Sequence, residues 1–470
     1  MYMKRLILIL SVIFLAVSIV AVIPTFSAAT DFIVEDGVLL AYEGDSNSVS
    51  VPSSVSVISD EAFLNNTNLK SVEIPSSVYS IGDKAFYGCT SLADVNGGES
   101  IRYVGALAFV GTPFLQESTV EYVTLGSALI CYNGTSSSVD LPDSITTVSP
   151  YAFLRNKKIT SFSAGNNLGS IGEGAFYECE KLSAVALTDS VSFIGADAFS
   201  GTKWLAAQSD FVVLGDSILV SYNGSKAYVS VPDGIKQIAP NAFYENSVVT
   251  NIFLPTSVFA IGERAFMGCS KLTEVQLNLG LVMIDNEAFA NCSKLLSVTT
   301  PNTLSKIGRG AFIKCPRLKS VFIHGNNVSV DYGVFSSCDS LEVALLSSDV
   351  ASLGDYSFSD NPKLKYVTVP PEVISVTSNA FKNCPSLTVI TDDDSFAKDA
   401  LSGSVKLSFN RGDSNIDGQV DIMDATAIQL HIASVSPLAV VNSAYMDADF
   451  DADVTILDAT YVQLFIAKLL

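Results

Sequence analysis

Apolar residues along this chain fall into a short and strict period. Phenylalanine recurs at Phe63, Phe86, Phe109, Phe153, Phe176, Phe199, Phe243, Phe266, Phe289, Phe312, Phe335, Phe358 and Phe381, every gap being 23 residues except two of 44. Around each ring the unit reads Ile-Gly-x-x-Ala-Phe-x-x-Cys-x-x-Leu-x-x-Val-x-Ile-Pro, most clearly from Ile81 and from Ile261. Leu69, Val72 and Ile74 combine a three-residue step with a two-residue step, as a turn running into a short strand does. Pro75 ends that strand because it has no N–H for a ladder. Ala85-Phe86 then opens the return arm. One unit cannot cover its own apolar face, so thirteen of them must stack as a solenoid. With parallel strands about 4.8 Å apart, the body would be on the order of 60–70 Å long.

The two long gaps hold inserts. Pro142 and Pro232 stand eleven residues before Phe153 and Phe243, as Pro75 stands before Phe86, so about 21 residues enter ahead of an intact strand. Phe211–Leu214, Gly215-Asp216 and Ile218–Tyr222 read as a hairpin with a two-residue turn. Val120–Leu125 with Gly126-Ser127 repeats the plan, and so does Phe32–Glu35 with Asp36-Gly37. Tyr42, Tyr132 and Tyr222 are spaced by 90 residues, as are Gly44, Gly134 and Gly224. Three modules result, with three, three and seven Phe rungs.

The ends of the chain differ from the body. Lys4 and Arg5 precede an apolar run from Leu6 to Ile23, and Ser27-Ala28-Ala29 offers a small-residue cleavage site before Thr30. This is the plan of a secretory signal peptide, with an uncleaved anchor as the competing reading. Either way the remainder lies outside the cytoplasm, and no membrane span is expected after cleavage. The division is then 1–29 leader, 30–391 solenoid with hairpin modules at 31–52, 120–142 and 210–232, 392–410 cap and short linker, and 411–470 tail. The balance of 27 Lys+Arg against 48 Asp+Glu, a net of −21, argues against nucleic acid and anionic membranes as partners. Only His324 and His431 are present, far apart, so histidine-based catalysis and multi-His metal sites are not expected.

Eight cysteines in a secreted chain invite disulfides. Seven of them, Cys89, Cys179, Cys269, Cys292, Cys315, Cys338 and Cys384, stand three residues after the repeat Phe. Asn66, Asn156, Asn246, Asn361, Thr112 and Thr202 occupy the same slot in other rungs. All three types are small and can hydrogen-bond a turn. Stacked equivalents also point in parallel, which opposes disulfide geometry. A packing role is expected, and Cys131, aligned with Ala41 and Ser221, reads as a small filler.

From Arg411 the composition changes to nine Asp and no Glu. Asp413, Asn415, Asp417, Gln419 (through its carbonyl), Asp421 and Asp424 fall at positions 1, 3, 5, 7, 9 and 12 of an EF-hand-type loop. Thirty-four residues on, Asp447, Asp449, Asp451, Asp453, Thr455 and Asp458 repeat the register, so two calcium ions are expected. Each loop runs into one helix, from Asp424 to Ala433 and from Asp458 to Ala467. Both loops end in Asp, not the usual Glu. Ala452 stands at position 6, where positive φ favours Gly, so the second loop should bind calcium more weakly.

The repeat unit, over roughly residues 31–409, resembles the BspA-like bacterial leucine-rich repeats. Asp392–Ser402 and Val405–Phe409 resemble the helix-and-strand cap of such arrays. The two half-EF-hands, with eleven of 22 aligned positions identical, resemble a dockerin. The implied fold is a leucine-rich repeat solenoid of short parallel strands plus a small all-α calcium-binding domain. The resemblance implies a cohesin module of a scaffolding protein as partner, met in two possible orientations. It places that contact at Ile422, Met423, Gln429 and Leu430, and at Ile456, Leu457, Gln463 and Leu464. Leu430 and Leu464 could equally be core of the helix pair, and Ile422 and Ile456 share that ambiguity.

Alternation turns the residues eight and ten after each Phe away from the core. Phe322, Val343, Leu345 and Tyr366, with Phe253 further along, would form an exposed apolar ligand face unless a cap or loop covers them. Trp204 aligns with Phe114, which favours packing over sugar stacking, and His324 reads as a surface residue at a strand end. Three functions stay open. The leading one is a secreted, non-enzymatic binding subunit held in a cellulosome-like complex, its solenoid recruiting a protein or polysaccharide ligand. The others are a glycoside hydrolase, which the repeats leave little room for, and a structural spacer.

Overall fold

In the computed structural model the described residues are 31–393, 395–409, 412–414, 419–434 and 446–467. The leader at 1–29 therefore lies outside them. Each rung contributes two short strands to two parallel ladders. One ladder carries the Val-x-Ile strands, such as Ser71–Ile74, which pairs with Ser48–Ser50 and Asp94–Gly97. The other carries the strand before Gly, such as Ser80–Ile81, which pairs with Val57–Ile58 and Tyr103–Val104. Glycine follows because the chain there runs against the preceding rung: a Cβ on Gly82 would lie 2.4 Å from the Asp60 backbone nitrogen.

The repeat rings stack face to face through the interior, with centroids 4.7–5.7 Å apart from Phe243 to Phe381. The stack is broken into three columns. Tyr42, Tyr132 and Tyr222 open them, at 5.2, 5.0 and 5.0 Å from Phe63, Phe153 and Phe243. Phe114 closes the first column against Phe109 and Trp204 closes the second against Phe199, each from a one-turn helix capped by a Thr hydroxyl. Trp204 is buried, so its alignment with Phe114 carries packing. The interior apolar core forms three clusters, the first reaching on to Leu125, Ala128 and Ile130 of the second hairpin and the second to Val212 and Ile218 of the third.

Each module opens with an antiparallel hairpin. Two-residue turns join Phe32–Glu35 to Val38–Tyr42 and Tyr122–Leu125 to Ala128–Tyr132. The third differs from the sequence expectation: Leu214 pairs with Ile218, so Gly215, Asp216 and Ser217 form a three-residue turn. Gly215 and Ser217 both take positive φ there, 54° and 59°. The last rung is followed by helix Phe396–Leu401 and strand Lys406–Ser408, which pairs in parallel with Thr388–Ile390.

The cysteine slot works as a donor ladder. Each thiol reaches the carbonyl of the Phe one rung back: Cys89 to Phe63 at 3.1 Å, Cys179 to Phe153 at 2.9 Å and Cys292 to Phe266 at 3.2 Å. Asn361 uses its amide in the same way, on Phe335 at 2.9 Å. The cysteines are free thiols, and burial pushes the Cys89 thiol up to about 11 and that of Cys269 to about 12.

Candidate functional site

The acidic tail builds its site from two helix starts. In Ile422–Ile432, Asp421 caps the helix by accepting from Met423 N, and Asp424 Oδ2 accepts from Asp421 N at 2.8 Å. Asp458 does the equivalent for Ile456–Ile466, accepting from Thr455 N at 2.7 Å and from Ala448 N at 2.7 Å. Loop positions 9 to 12 thus double as the first turn of each helix. Ala425, Ile428, Met446, Ala448, Ala459 and Val462 form the small core between the helices.

Carboxylates at loop positions 1 and 12 are driven inside. Asp413, Asp424, Asp447 and Asp458 are all buried. Both oxygens of Asp447 lack a protein partner, and Asp447, Asp449 and Asp451 bring ligand atoms within 4.8 Å of one another. Burial and the neighbouring Asp458, Asp451 and Asp449 hold the Asp447 carboxyl well above the carboxylate range. Burial, with repulsion from Asp449, pushes Asp458 up to about 7 against the backbone donors that favour its charge. Asp451 is raised by burial and by Asp449 and Asp453. A buried carboxylate with no donor, ringed by others, fits a hard cation. Asp447, Asp449, Asp451, Asp453 (through its carbonyl), Thr455 and Asp458 would hold calcium in the second loop. In the first loop Asp413 and Asp424 are buried and Asp421 caps the helix, while Asn415 and Asp417 lie outside the described residues.

The eight residues assigned to a cohesin contact are all exposed. Ile422, Met423, Ile456 and Leu457 are 54–60 % accessible, Leu430 and Leu464 are 39 % and 36 %, and Gln429 and Gln463 are open as well. The core reading of Leu430 and Leu464 does not match this placement, because Ile428 and Val462 take the interior positions.

The solenoid patch is placed differently from the sequence expectation. Val343 and Leu345 are fully buried, and Phe322 and Tyr366 are half-buried, because Ala452 of the second loop lies on them. The tail covers the patch, so it is not an exposed ligand face. Phe253 is half-buried on a separate strand, Asn251–Phe253. His324 is likewise buried, its Nε2 3.7 Å from Asp453, and is not a surface residue.

One further feature went unread. A groove of about 300 Å³ is lined by residues of all three modules, among them Asp83, Glu173 and Glu263 with Tyr103 and Phe193. The two rings are 46 % and 49 % exposed. Partial burial, then Asp83, Asp60 and Glu173, raise the Tyr103 hydroxyl, and burial raises Glu263. These carboxylates are 90 residues apart, as the two rings are, so the module repeat carried the signal.

Fold and tail together define a repeat solenoid joined to a calcium-binding docking module. The family described as BspA type leucine rich repeat region matches in six copies, over residues 41–153, 119–206, 221–342 and 260–388, and the dockerin type I domain matches residues 411–467. The chain belongs to the BspA-type leucine-rich repeat proteins and carries a dockerin. No curated protein matches it. Similar solved structures include the pneumococcal vaccine antigen PcpA, at 19 % identity and a TM-score of 0.36, covering 80 % of this chain and 95 % of that one. A leucine-rich repeat protein from Eubacterium ventriosum matches at 18 % and 0.37, covering 74 % and 88 %. A leucine rich cell surface protein from Faecalibacterium prausnitzii matches at 21 % and 0.28, covering 79 % and 95 %. Among the described residues no helix is long and apolar enough to cross a membrane.

Proposed function

We propose that this is a secreted, non-enzymatic binding subunit. Its dockerin, loaded with two calcium ions, plugs into a cohesin module of an extracellular scaffold, and its solenoid recruits a protein or polysaccharide ligand. The observation that carries the reading is the apolar pair at each helix start, Ile422-Met423 and Ile456-Leu457, standing exposed beside the carboxylates that would hold the ions. Calcium fixes the loop, the loop fixes the helix start, and the exposed pairs supply the apolar contact. The purified chain should be captured by an immobilised cohesin in calcium and released by a chelator. Capture that survives chelation, or that survives Ile422→Asp combined with Ile456→Asp, contradicts the reading.

For the ligand, the groove at Tyr103 and Phe193 offers ring faces beside hydrogen-bond acceptors, the combination that sugars use. The full chain should co-sediment with an insoluble plant polysaccharide and be displaced by soluble sugar, and Tyr103→Ala with Phe193→Ala should abolish this. A wild-type chain that stays in the supernatant shifts the ligand to protein.

A further inference from the structure

The last module carries an apolar patch that its own rungs leave uncovered, and the tail sits on it. Phe322, Val343, Leu345, Tyr366 and Ile390 come from four adjacent strands, and Ala452 is packed among them with no exposed surface. Polar contacts flank this methyl. Ser348 N donates to the Phe450 carbonyl at 2.9 Å, and His324 Nε2 lies 3.7 Å from Asp453 Oδ1. Val343 and Leu345 are not part of the solenoid's interior core, which takes Ala344 and Leu346 instead.

The contact uses the residues that calcium does not need. Counting from Asp447, Phe450 and Ala452 are positions 4 and 6, which supply no ligand, and position 7 supplies a carbonyl, leaving the Asp453 carboxylate free to face His324. The first loop differs at all three positions, with Ile416, Gly418 and Gln419. Gly418 has no methyl for the patch and Gln419 no charge for His324. The near-symmetry of the two halves is therefore broken where the second half touches the solenoid. Ala452 holds φ at 69°, a conformation Gly would take without strain, and what its methyl adds in return is the packing against the patch. With the loop in place, Ile422, Met423, Ile456 and Leu457 keep 54–60 % of their surface open.

We infer that the patch of Phe322, Val343, Leu345, Tyr366 and Ile390 is an intramolecular seat for the second calcium loop. It clamps the dockerin to the solenoid and presents both helix starts outward in a fixed direction. Only the meaning of that outward face rests on the cohesin reading; the clamp itself does not. The test uses the full chain in calcium, with small-angle scattering and hydrogen exchange over 343–346 and 448–453. Leu345→Asp should enlarge the radius of gyration and speed exchange in both segments on the order of tenfold, while the 23-residue core stays protected. Ala452→Gly should speed exchange at 343–346 and at the same time tighten the second calcium site severalfold in calorimetry, since it removes both plug and strain. Unchanged scattering and exchange in a folded Leu345→Asp chain would overturn the seat. So would Ala452→Gly leaving 343–346 as protected as before. Neither result depends on whether any cohesin binds.

Discussion

Cysteine in this chain behaves as a short amide. Its S–H reaches the carbonyl that the Asn361 side chain reaches in its own rung, so the slot selects for a small donor, not for redox chemistry. In native protein the six buried thiols should resist an aromatic disulfide reagent, while Cys131 and Cys384, which are partly exposed, react first. Replacing Cys292 by Ser keeps the donor; Val removes it and should cost about 1 kcal/mol in denaturant unfolding. Carboxylates in the second loop make the opposite case: both Asp447 oxygens are buried without a protein partner, and the backbone donors to Asp458 do not offset its burial. The Asp458 carboxyl sits near 7 in the folded tail against about 3.9 in an unfolded chain. A raised pKa contributes stability in acid, fully present below about pH 3.9 and lost as pH rises through about 7. With calcium chelated, helices Ile422–Ile432 and Ile456–Ile466 should therefore melt at lower temperature at pH 8 than at pH 5. Calcium should reverse that order, as circular dichroism would show.

A rung has almost no stability of its own, so its energetics belong to the column it joins. Phe289 lies between rings at 4.9 and 5.1 Å, and Phe289→Ala should cost about 3–5 kcal/mol in equilibrium unfolding. Phe381, at the open end of its column and 5 % exposed, should cost less. The 23-residue period made the solenoid readable because each rung repeats its apolar positions at fixed local spacing. What it did not announce are the left-handed residues two before and two after the Phe, such as Glu61 and Asn65 at φ 59° and 57°, or Arg264 at 54°. Those sites are mostly not glycine, so composition hides them; inter-rung hydrogen bonds such as Phe63 N to Ala85 O, at 2.7 Å, hold the conformation. The three-residue turn after Leu214 escaped for a related reason, since Gly215-Asp216 alone resembles a two-residue turn.

At the scale of the molecule, spacing within a loop is local, and the clustering of Asp447, Asp449 and Asp451 could be read from their alternation in the chain. Coverage of Val343 and Leu345 could not be, because it depends on where a tail about a hundred residues downstream comes to rest. The groove shows the same limit. Asp83, Glu173 and Glu263 share a 90-residue spacing, but only the superposed modules bring them to one place.

The three aromatic columns also decide which parts of the body a single surface site can join. Continuous stacking stops between Phe114 and Tyr122 and again between Trp204 and Phe211, and at these two junctions aliphatic side chains, such as Leu125, Ala128 and Ile130 at the first and Val212 and Ile218 at the second, carry the packing instead of rings. The groove draws its walls from all three modules and so spans both junctions. A ligand seated there would touch three modules at once, so one bound molecule would tie together rungs up to 180 residues apart in the chain, such as those of Asp83 and Glu263.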